Sequence, residues 1–399
     1  MGWQKSVNNV IIFNFLNNMS FERVLWVIYL LDKNISLIEI GIIQSVLNIS
    51  MFIFEFPSGF IGDRYGRRSS LFIGNFMIMT YLCIFLFSNN FYQFCIGSIF
   101  YGLGLTFISG SNEALVYDNL KSLNKENKYN DILSKISFMS ILGLLISIFV
   151  GGVLEKTSLN LIFIIGIIVR IIASILIFFI KEHPYLAIEK QKPTFINIEA
   201  SIYFFKTNRL LIFFLFTSSL FISFFSVYVL FGQEILRING ENNLYDISLI
   251  FVFLYSLSGM ISLIYNKLIK SLTSTYLIFY TSLLISILLF VSIYKNVFNH
   301  YYIIFIVVGA LYEINDLTYN IIINNLSTSN LRARIFSMYS LLTTIFMSFF
   351  SIVITYVLSN KLIDFNKQFF ILSLFILFAS TYGTIITIKR TKGVVNDQT

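Results

Sequence analysis

The chain has 399 residues, of which 57% are hydrophobic and 12% are charged, and its mean hydropathy is +0.80. Soluble proteins carry about 25% charged residues, so the composition excludes a soluble globular fold and predicts a helical membrane protein. The net charge of +8 does not require a nucleic-acid partner, because the Lys and Arg residues concentrate in the connections between apolar segments. The two Cys and two His residues are too scattered to support a disulfide framework or a zinc site.

Twelve apolar segments are long enough to cross a bilayer, which takes about 20 helical residues. These predicted spans 1 to 12 are residues 8–30, 37–61, 70–88, 92–118, 132–153, 159–180, 208–232, 246–265, 272–293, 300–323, 334–358 and 366–388. Span 1 contains Glu22 and Arg23, so it is predicted to be a retained helix rather than a cleaved signal peptide. The sequence therefore predicts an all-α membrane protein with twelve transmembrane helices.

The distribution of basic residues predicts the orientation of these spans. If the N-terminus lies inside, 20 of the 28 Lys and Arg residues fall in inner segments and 6 in outer segments, with Arg23 and Arg170 inside spans. Basic residues favour the cytoplasmic side of a membrane. This bias predicts both termini in the cytoplasm and an even number of spans.

A charged turn between spans 2 and 3 carries the most specific motif. It reads Gly-Phe-Ile-Gly-Asp-Arg-Tyr-Gly-Arg-Arg over residues 59–68, and charges this dense are expected at a membrane surface. The positive-inside rule alone would not require this Gly and Asp spacing. The spacing resembles the signature between helices 2 and 3 of the major facilitator superfamily, and the matching residues are Gly59, Asp63, Arg64, Gly66, Arg67 and Arg68.

The resemblance gives this turn the role of a conformational latch. It implies that Asp63 lies near the start of span 11, where the helix dipole favours a carboxylate, and that Arg67 reaches Asp118 at the inner end of span 4. Such a latch would hold the cytoplasmic side closed while a central cavity faces outward. From the residues themselves, Gly59 and Gly62 are expected to permit close helix approach or a bend, and Gly66 an unusual backbone conformation.

The longest polar connection predicts the domain organisation. Residues 181–207 contain two of the three prolines and are expected to link two six-helix bundles, 1–180 and 208–399, the second with a short cytoplasmic tail. A short surface helix is expected near 195–206. The halves also resemble each other at an offset near 200, which aligns Glu113 with Glu313 and residues 137–140 with 337–340. A parallel repeat would match the two-bundle plan of the superfamily, while biased composition is the alternative explanation.

Ionisable residues inside a membrane cost several kcal/mol and need a partner, water or a function. Glu22 and Arg170 lie at similar depths of spans 1 and 6 and are expected to pair, for either a structural or a functional reason. Glu55 on span 2 and Glu113 on span 4 both fall in the inner half. Inside a bundle they are candidates to carry protons, and the alternative is that they are polar residues hydrogen-bonded within the bundle.

A second acidic pair lies on span 10, where Glu313 and Asp316 are one turn apart on the same helix face. Such a pair can share a proton, bind a cation or contact a basic substrate. The resemblance implies that helices 1, 4, 7 and 10 line a central cavity, so Glu22, Glu113 and Glu313 become candidate cavity acids. We expect a coupling role for Glu313.

Two further stretches bear on the type of transport. Residues 109–118 resemble a stretch of drug-exporter-like members of the superfamily. Antiporters in the superfamily often carry Gly-Pro shortly before Gly-Gly on helix 5, but here Ser147-Ile148 precedes Gly151-Gly152. The resemblance to antiporters is therefore weaker than the resemblance to the superfamily.

These observations predict a secondary active transporter, with proton-coupled efflux of a lipophilic or amphipathic compound as the first interpretation. Uptake or export of a metabolite or peptide is the second, and a non-transporting receptor or assembly partner is an interpretation from another class.

An enzyme is not expected, because no nucleophile with a neighbouring base lies within the spans. No phosphate-binding Gly-x-x-x-x-Gly-Lys-Ser/Thr motif occurs, and no cofactor or nucleic acid is expected. The expected partners are a small molecule, protons and the lipid bilayer, around a monomer in a bacterial plasma membrane.

Overall fold

The computed structural model describes residues 2–121, 125–180, 209–271, 274–294, 300–327, 332–360 and 365–396. These ranges contain fourteen α-helices, a 3-10 turn at Glu126–Lys128, and no strand. The helices are α1 Gly2–Asn17, α2 Trp26–Asp32, α3 Leu37–Tyr65, α4 Arg67–Phe87, α5 Phe91–Lys121, α6 Tyr129–Leu154, α7 Asn160–Phe178, α8 Arg209–Leu230, α9 Gly232–Ile238, α10 Leu244–Ser271, α11 Ser274–Val291, α12 Tyr301–Leu326, α13 Arg332–Ser359 and α14 Phe365–Asn396.

Ten of these helices are long and apolar enough to cross a membrane, and α11 contributes a shorter apolar segment, Tyr276–Val291. They account for predicted spans 2 to 12, so the prediction of an all-α membrane protein is confirmed. The predicted linker 181–207 and its surface helix near 195–206 lie outside the described residues.

Span 1 is the exception, because residues 8–30 do not form one helix. Helix α1 ends at Asn17, residues 18–25 form turns, and α2 begins at Trp26. Hydropathy indicates how much chain enters the membrane, but not whether the helix is continuous there. Asn17, Asn18 and Ser20 offer local hydrogen bonds that compete with the helix, and the break falls beside them.

By internal contacts the chain divides into two compact units. The first contains α1 to α7 together with residues 240–256, which include the first part of α10. Within it α5 packs along α3 and α4, and α7 packs along α4 and α1. Gly74 and Gly104 face each other where α4 crosses α5, since an added Cβ on either would lie 2.8 Å from the other's carbonyl oxygen. Such contacts between small residues are a common basis of helix association in membranes.

The second unit contains α8, α9, the rest of α10, and α11 to α14. Helix α8 is its central element and packs against α12, α13 and α14. Five fully buried aromatic residues lie along α8, namely Phe214, Phe221, Phe224, Phe225 and Tyr228. Phe224 and Tyr228 both stack on Phe369, with ring centroids 4.8 and 4.7 Å apart. The large aromatic side chains of one helix therefore hold this unit together.

The order of helices repeats between α1–α7 and α8–α14. The seven-residue helices α2 and α9 begin at Trp26 and Gly232, 206 positions apart, and each precedes a long helix. The alignment of the two acids is nevertheless wrong. Glu113 lies 22 residues beyond the start of α5 at Phe91, whereas Glu313 lies 12 residues beyond the start of α12 at Tyr301.

Candidate functional site

The break in the first span lies against α6. The Ser20 backbone N–H donates to the Ser147 hydroxyl at 3.1 Å. One turn to either side, Gly143 approaches the Phe15 carbonyl, and an added Cβ on Gly151 would lie 2.6 Å from the Phe21 carbonyl oxygen. Small residues at 143, 147 and 151 thus let the non-helical backbone lie directly on α6, where its polar groups find partners.

Arg170 on α7 is buried and binds the end of α1. Its guanidinium donates to the Asn17 carbonyl oxygen at 2.8 Å and to the Asn17 side-chain oxygen at 2.5 Å. The amide of Asn75 on α4 donates to the Arg170 carbonyl at 2.8 Å and to the Ser174 hydroxyl at 2.7 Å. A cation at a helix C-terminus satisfies carbonyls that have no partner within the helix and complements the helix dipole.

Glu22 lies within the break and is buried, with 5% of its surface exposed. Its surroundings include the positive charges of Arg170 and Arg23. The structure therefore brings Glu22 and Arg170 into one buried site, as expected. Within the described residues, however, no direct ion pair joins them, because the Arg170 hydrogen bonds go to Asn17 and Asn75.

Aromatic residues border this site. Tyr101 on α5 interacts with Glu22, Arg23 and Arg170, and its ring stacks on that of Tyr81 with centroids 4.3 Å apart. The adjacent Arg23 points to a different partner.

Arg23 is exposed and lies on Tyr255, near the middle of α10. Its Nε donates to the Tyr255 hydroxyl at 3.4 Å, and the guanidinium carbon is 5.6 Å from the ring centroid. This is cation–π geometry. The charged break thus joins α1 and α2 to residues 240–256 of the same unit.

Glu55 and Glu113 occupy different surroundings from Glu22. Both side chains are exposed, on α3 and α5, whereas sequence analysis expected them inside the bundle. Around Glu113, the exposed residues Ser109, Gly110 and Tyr117 recur every three or four positions and form one exposed face of α5. Nearby, Asn14 and Asn112 exchange side-chain hydrogen bonds of 3.0 and 2.6 Å between α1 and α5.

In the second unit, Glu313 and Asp316 are half-buried on α12, one turn apart as predicted. Asn320, a further turn along, is a hydrogen-bonding neighbour of Asp316. Asn315, on the buried side of the same helix, accepts a 2.7 Å hydrogen bond from Thr281 on α11. The pair therefore lies on a helix whose opposite side is fixed by buried polar contacts.

The charged turn has the backbone that its glycines predict. Gly66 separates α3 from α4 with φ +96°, a region that favours glycine, and its N–H donates to the Gly62 carbonyl at 3.1 Å. An added Cβ on Gly62 would lie 3.0 Å from the Ser111 hydroxyl and 3.2 Å from the Arg67 guanidinium. Gly62 thus permits close approach, as predicted. Gly59 makes no such close approach, because no atom of the described residues lies within 4 Å of the position that a Cβ on Gly59 would occupy.

The basic residues of the turn contact neighbouring helices and rings. The Arg68 guanidinium donates to the Phe178 carbonyl at 2.8 Å, at the end of α7, and Arg64 lies over the Tyr65 ring. Asp118 lies on α5, three residues before its end. The expected contact of Asp63 with the start of span 11 depends on a side chain outside the described residues.

Comparison with known proteins identifies the family. The model of the Major Facilitator Superfamily matches residues 10–351. The chain belongs to the major facilitator superfamily. It is thus a membrane transporter and not an enzyme.

Several known proteins are similar to this superfamily member. An uncharacterized MFS-type transporter, YxaM of Bacillus subtilis (strain 168), is 30% identical over 139 residues, which span 35% of this chain and 33% of that protein. Among solved structures, the nucleoside transporter NupG has a TM-score of 0.78 at 14% identity, covering 96% of this chain and 99% of that one. The D-xylose-proton symporter has a TM-score of 0.72 at 14% identity, covering 95% of both chains. These likenesses show the twelve-helix fold of the superfamily.

Several polar residues of this transporter were not found by sequence reasoning. Asn17, Asn75 and Ser147 hold the break, and Gln233 on α9 is fully buried with both amide atoms unpaired among the described residues. The sequence signal that could have identified the Asn and Gln residues is an amide side chain within an apolar stretch, because a buried polar group requires a hydrogen-bond partner.

The fit between Gly151 and the break predicts the effect of a small substitution. Gly151→Ala is expected to lower the free energy of unfolding by about 1–3 kcal/mol, because its Cβ would overlap a backbone carbonyl that cannot move without shifting the whole turn. Thermal unfolding in detergent micelles measures the effect. The control is Gly110→Ala on α5, which meets no atom within 4 Å and should not destabilise the protein. Equal losses in both variants would contradict the assigned packing.

Proposed function

We propose that this transporter is driven by a proton gradient and exports a lipophilic or amphipathic small molecule by alternating access. The observation that carries the proposal is the acidic pair on α12, where Glu313 and Asp316 are half-buried and one turn apart. Two carboxylates at this spacing repel each other when both are ionised, so the pair can hold one proton between them. Release of that proton to the other side of the membrane would couple the gradient to transport.

The first unit supplies the other proposed residues. Glu22 and Arg170 form a buried charged site at the helix break, and charges inside a membrane commonly mark ion or substrate pathways. Glu55 and Glu113 are exposed on their helices, Glu113 on the face of α5 that also carries Ser109 and Tyr117. The proposed latch that closes the cytoplasmic side comprises Gly59, Asp63, Arg64, Gly66, Arg67, Arg68 and Asp118.

Import of a polar metabolite is the second candidate function. It is favoured by the solved structures with the same fold, which include a nucleoside transporter and a D-xylose-proton symporter. The Ser147-Ile148 pair, where antiporters often have Gly-Pro, also weakens the case for export. Residues 109–118, with their resemblance to drug exporters, support export instead.

The proposal places the protein in a bacterial plasma membrane as a monomer with both termini in the cytoplasm. It assigns one six-helix bundle to residues 1–180 and the other to 208–399, joined by a cytoplasmic linker at 181–207. The excess of Lys and Arg in the inner segments supports this orientation.

Transport in proteoliposomes with an imposed pH gradient tests the proposed function. The expected result is accumulation of a lipophilic cationic dye, or of a nucleoside or sugar for the second candidate, together with proton movement reported by a trapped pH-sensitive dye. A protonophore should abolish both signals, and protein-free liposomes should show neither. Substrate flux that is indifferent to the pH gradient would contradict proton coupling, and absence of flux across a broad compound panel would contradict transport.

A further inference from the structure

A groove between α1 and α6 in the first unit has no role in the sites described above. Its volume is about 710 Å³, within the range of about 300–1,000 Å³ that is usual for small-molecule sites. Its lining comprises four apolar residues, Ile11, Ile12, Phe138 and Met139, two neutral polar residues, Asn8 and Ser134, and two charged residues, Asp131 and Lys135.

The lining follows helix geometry. On α6 the groove residues 131, 135, 138 and 139 are all exposed and recur at the spacing of a single helix face. Helix α1 and the break that follows it run in the same direction as α6, because Gly143 faces Phe15 of α1 and Gly151 faces Phe21 in the break. The first two turns of α6 therefore contribute Asp131, Ser134 and Lys135, and the next turn contributes Phe138 and Met139. On α1, the polar Asn8 precedes the apolar Ile11 and Ile12. The groove has one charged end and one apolar end.

The two charges are available to a ligand. Asp131 and Lys135 are four positions apart, a spacing at which opposite charges often pair. Both side chains are exposed, and in the described part of the chain no ion pair within 4.0 Å joins them. A head group that carries a cation and an anion could therefore meet an opposite charge at each of its two ends.

We propose that this groove binds a transported amphiphile with a zwitterionic head group and one short apolar chain. The assignment rests on the proposed export of amphipathic molecules and names their chemical class. Residues 131 to 139 extend about 12 Å along α6. That length is less than the hydrocarbon depth of one leaflet, about 15 Å, so the groove suits a short single-chain molecule rather than a bilayer phospholipid.

Binding of radiolabelled octylphosphocholine, below its micelle concentration, to the full chain in phosphatidylglycerol nanodiscs tests the proposal. Asp131→Asn and Lys135→Gln should each weaken binding about fivefold, as expected for one exposed charge interaction. Phe138→Ala should weaken it about tenfold through lost apolar contact. With octyltrimethylammonium as the probe only Asp131→Asn should weaken binding, and with octyl phosphate only Lys135→Gln should weaken it.

The matched controls are Lys121→Gln and Ile146→Ala, which alter exposed residues outside the groove and should change binding less than twofold. If Phe138→Ala does not fold, as judged by its unfolding midpoint, Phe138→Leu replaces it. The proposal is overturned if the groove variants bind like the controls, or if phosphatidylcholine in the disc displaces the probe, which would identify a bilayer lipid as the occupant.

The flux assay separates this proposal from the proposed function. If the groove variants lose binding of the zwitterion and the unaltered protein carries gradient-driven flux, both proposals stand. If binding follows the predicted pattern but no compound is transported, the groove assignment stands and the transport proposal fails. If compounds are transported while the groove variants bind normally, the groove assignment alone fails.

Discussion

Arg170→Leu is expected to lower the free energy of unfolding by about 3–5 kcal/mol, the cost of breaking a buried charge network from one side. The substitution would leave the Asn17 carbonyl and side-chain oxygens without their donor and would leave Glu22 buried without its main opposing charge. Reversible unfolding in mixed detergent micelles measures the change. Replacement of Glu22 by Gln in the Arg170→Leu background should recover part of the loss, because the two effects are coupled.

The matched control is Arg237→Leu on α9. Arg237 pairs with Glu234 at 3.0 Å, and their side chains are 38% and 12% exposed, so the loss of Arg237 should cost about 1–3 kcal/mol, less than the loss of Arg170. Arg170→Lys should fall between the two variants, because lysine keeps the charge but loses the planar fork that reaches both oxygens of Asn17. A loss below about 1 kcal/mol for Arg170→Leu would show that the network does not hold the break.

Glu313→Gln is expected to reduce gradient-driven transport by at least about tenfold while leaving substrate exchange in the absence of a gradient intact. Gln keeps the size and hydrogen-bonding capacity of Glu but cannot carry the coupled proton, so the driving force is lost rather than the binding site. Paired measurements of driven uptake and of counterflow in the same proteoliposomes distinguish these effects.

Two variants sharpen this comparison. Asp316→Asn tests whether the second carboxylate of the pair is also needed, and it should slow driven uptake as well. Glu241→Gln, in the loop before α10, removes an acid outside the pair and should leave both activities unchanged. Unchanged proton-driven flux in Glu313→Gln would assign coupling to another residue.

The extent of the helices could be predicted well, because hydrocarbon thickness fixes how much apolar chain a span requires. Span 2 was predicted over 37–61 and is observed as Leu37–Tyr65, and the turn after it was recognised from its charge and glycines. The break at 18–25 could not be predicted this way. It depends on Ser147 and Arg170, which reach it from helices more than 120 residues away.

The same distinction applies to the site residues: positions within one helix could be predicted, whereas contacts between helices could not. Glu313 and Asp316 were placed correctly relative to each other, because one helix fixes their spacing. The partner of Arg170 was predicted as Glu22, but its hydrogen bonds go to Asn17, since only tertiary packing decides which oxygens a guanidinium reaches. The alignment of Glu113 with Glu313 is wrong because it was based on the similarity of short stretches. The positions of the helix boundaries determine which residues of the two halves correspond.

The interrupted first span has a consequence for biosynthesis. Of the described helices, the ten able to cross a membrane by length and hydropathy do not include α1 or α2, whereas α3 supplies a candidate span at Leu37–Glu55. A short polar segment carrying Glu and Arg partitions poorly from the translocon into lipid. The nascent chain should therefore keep α1 and α2 beside the translocon until α3 emerges. Since Arg170 is synthesised almost 150 residues after Glu22, the charged break can be completed only after α7 has left the ribosome.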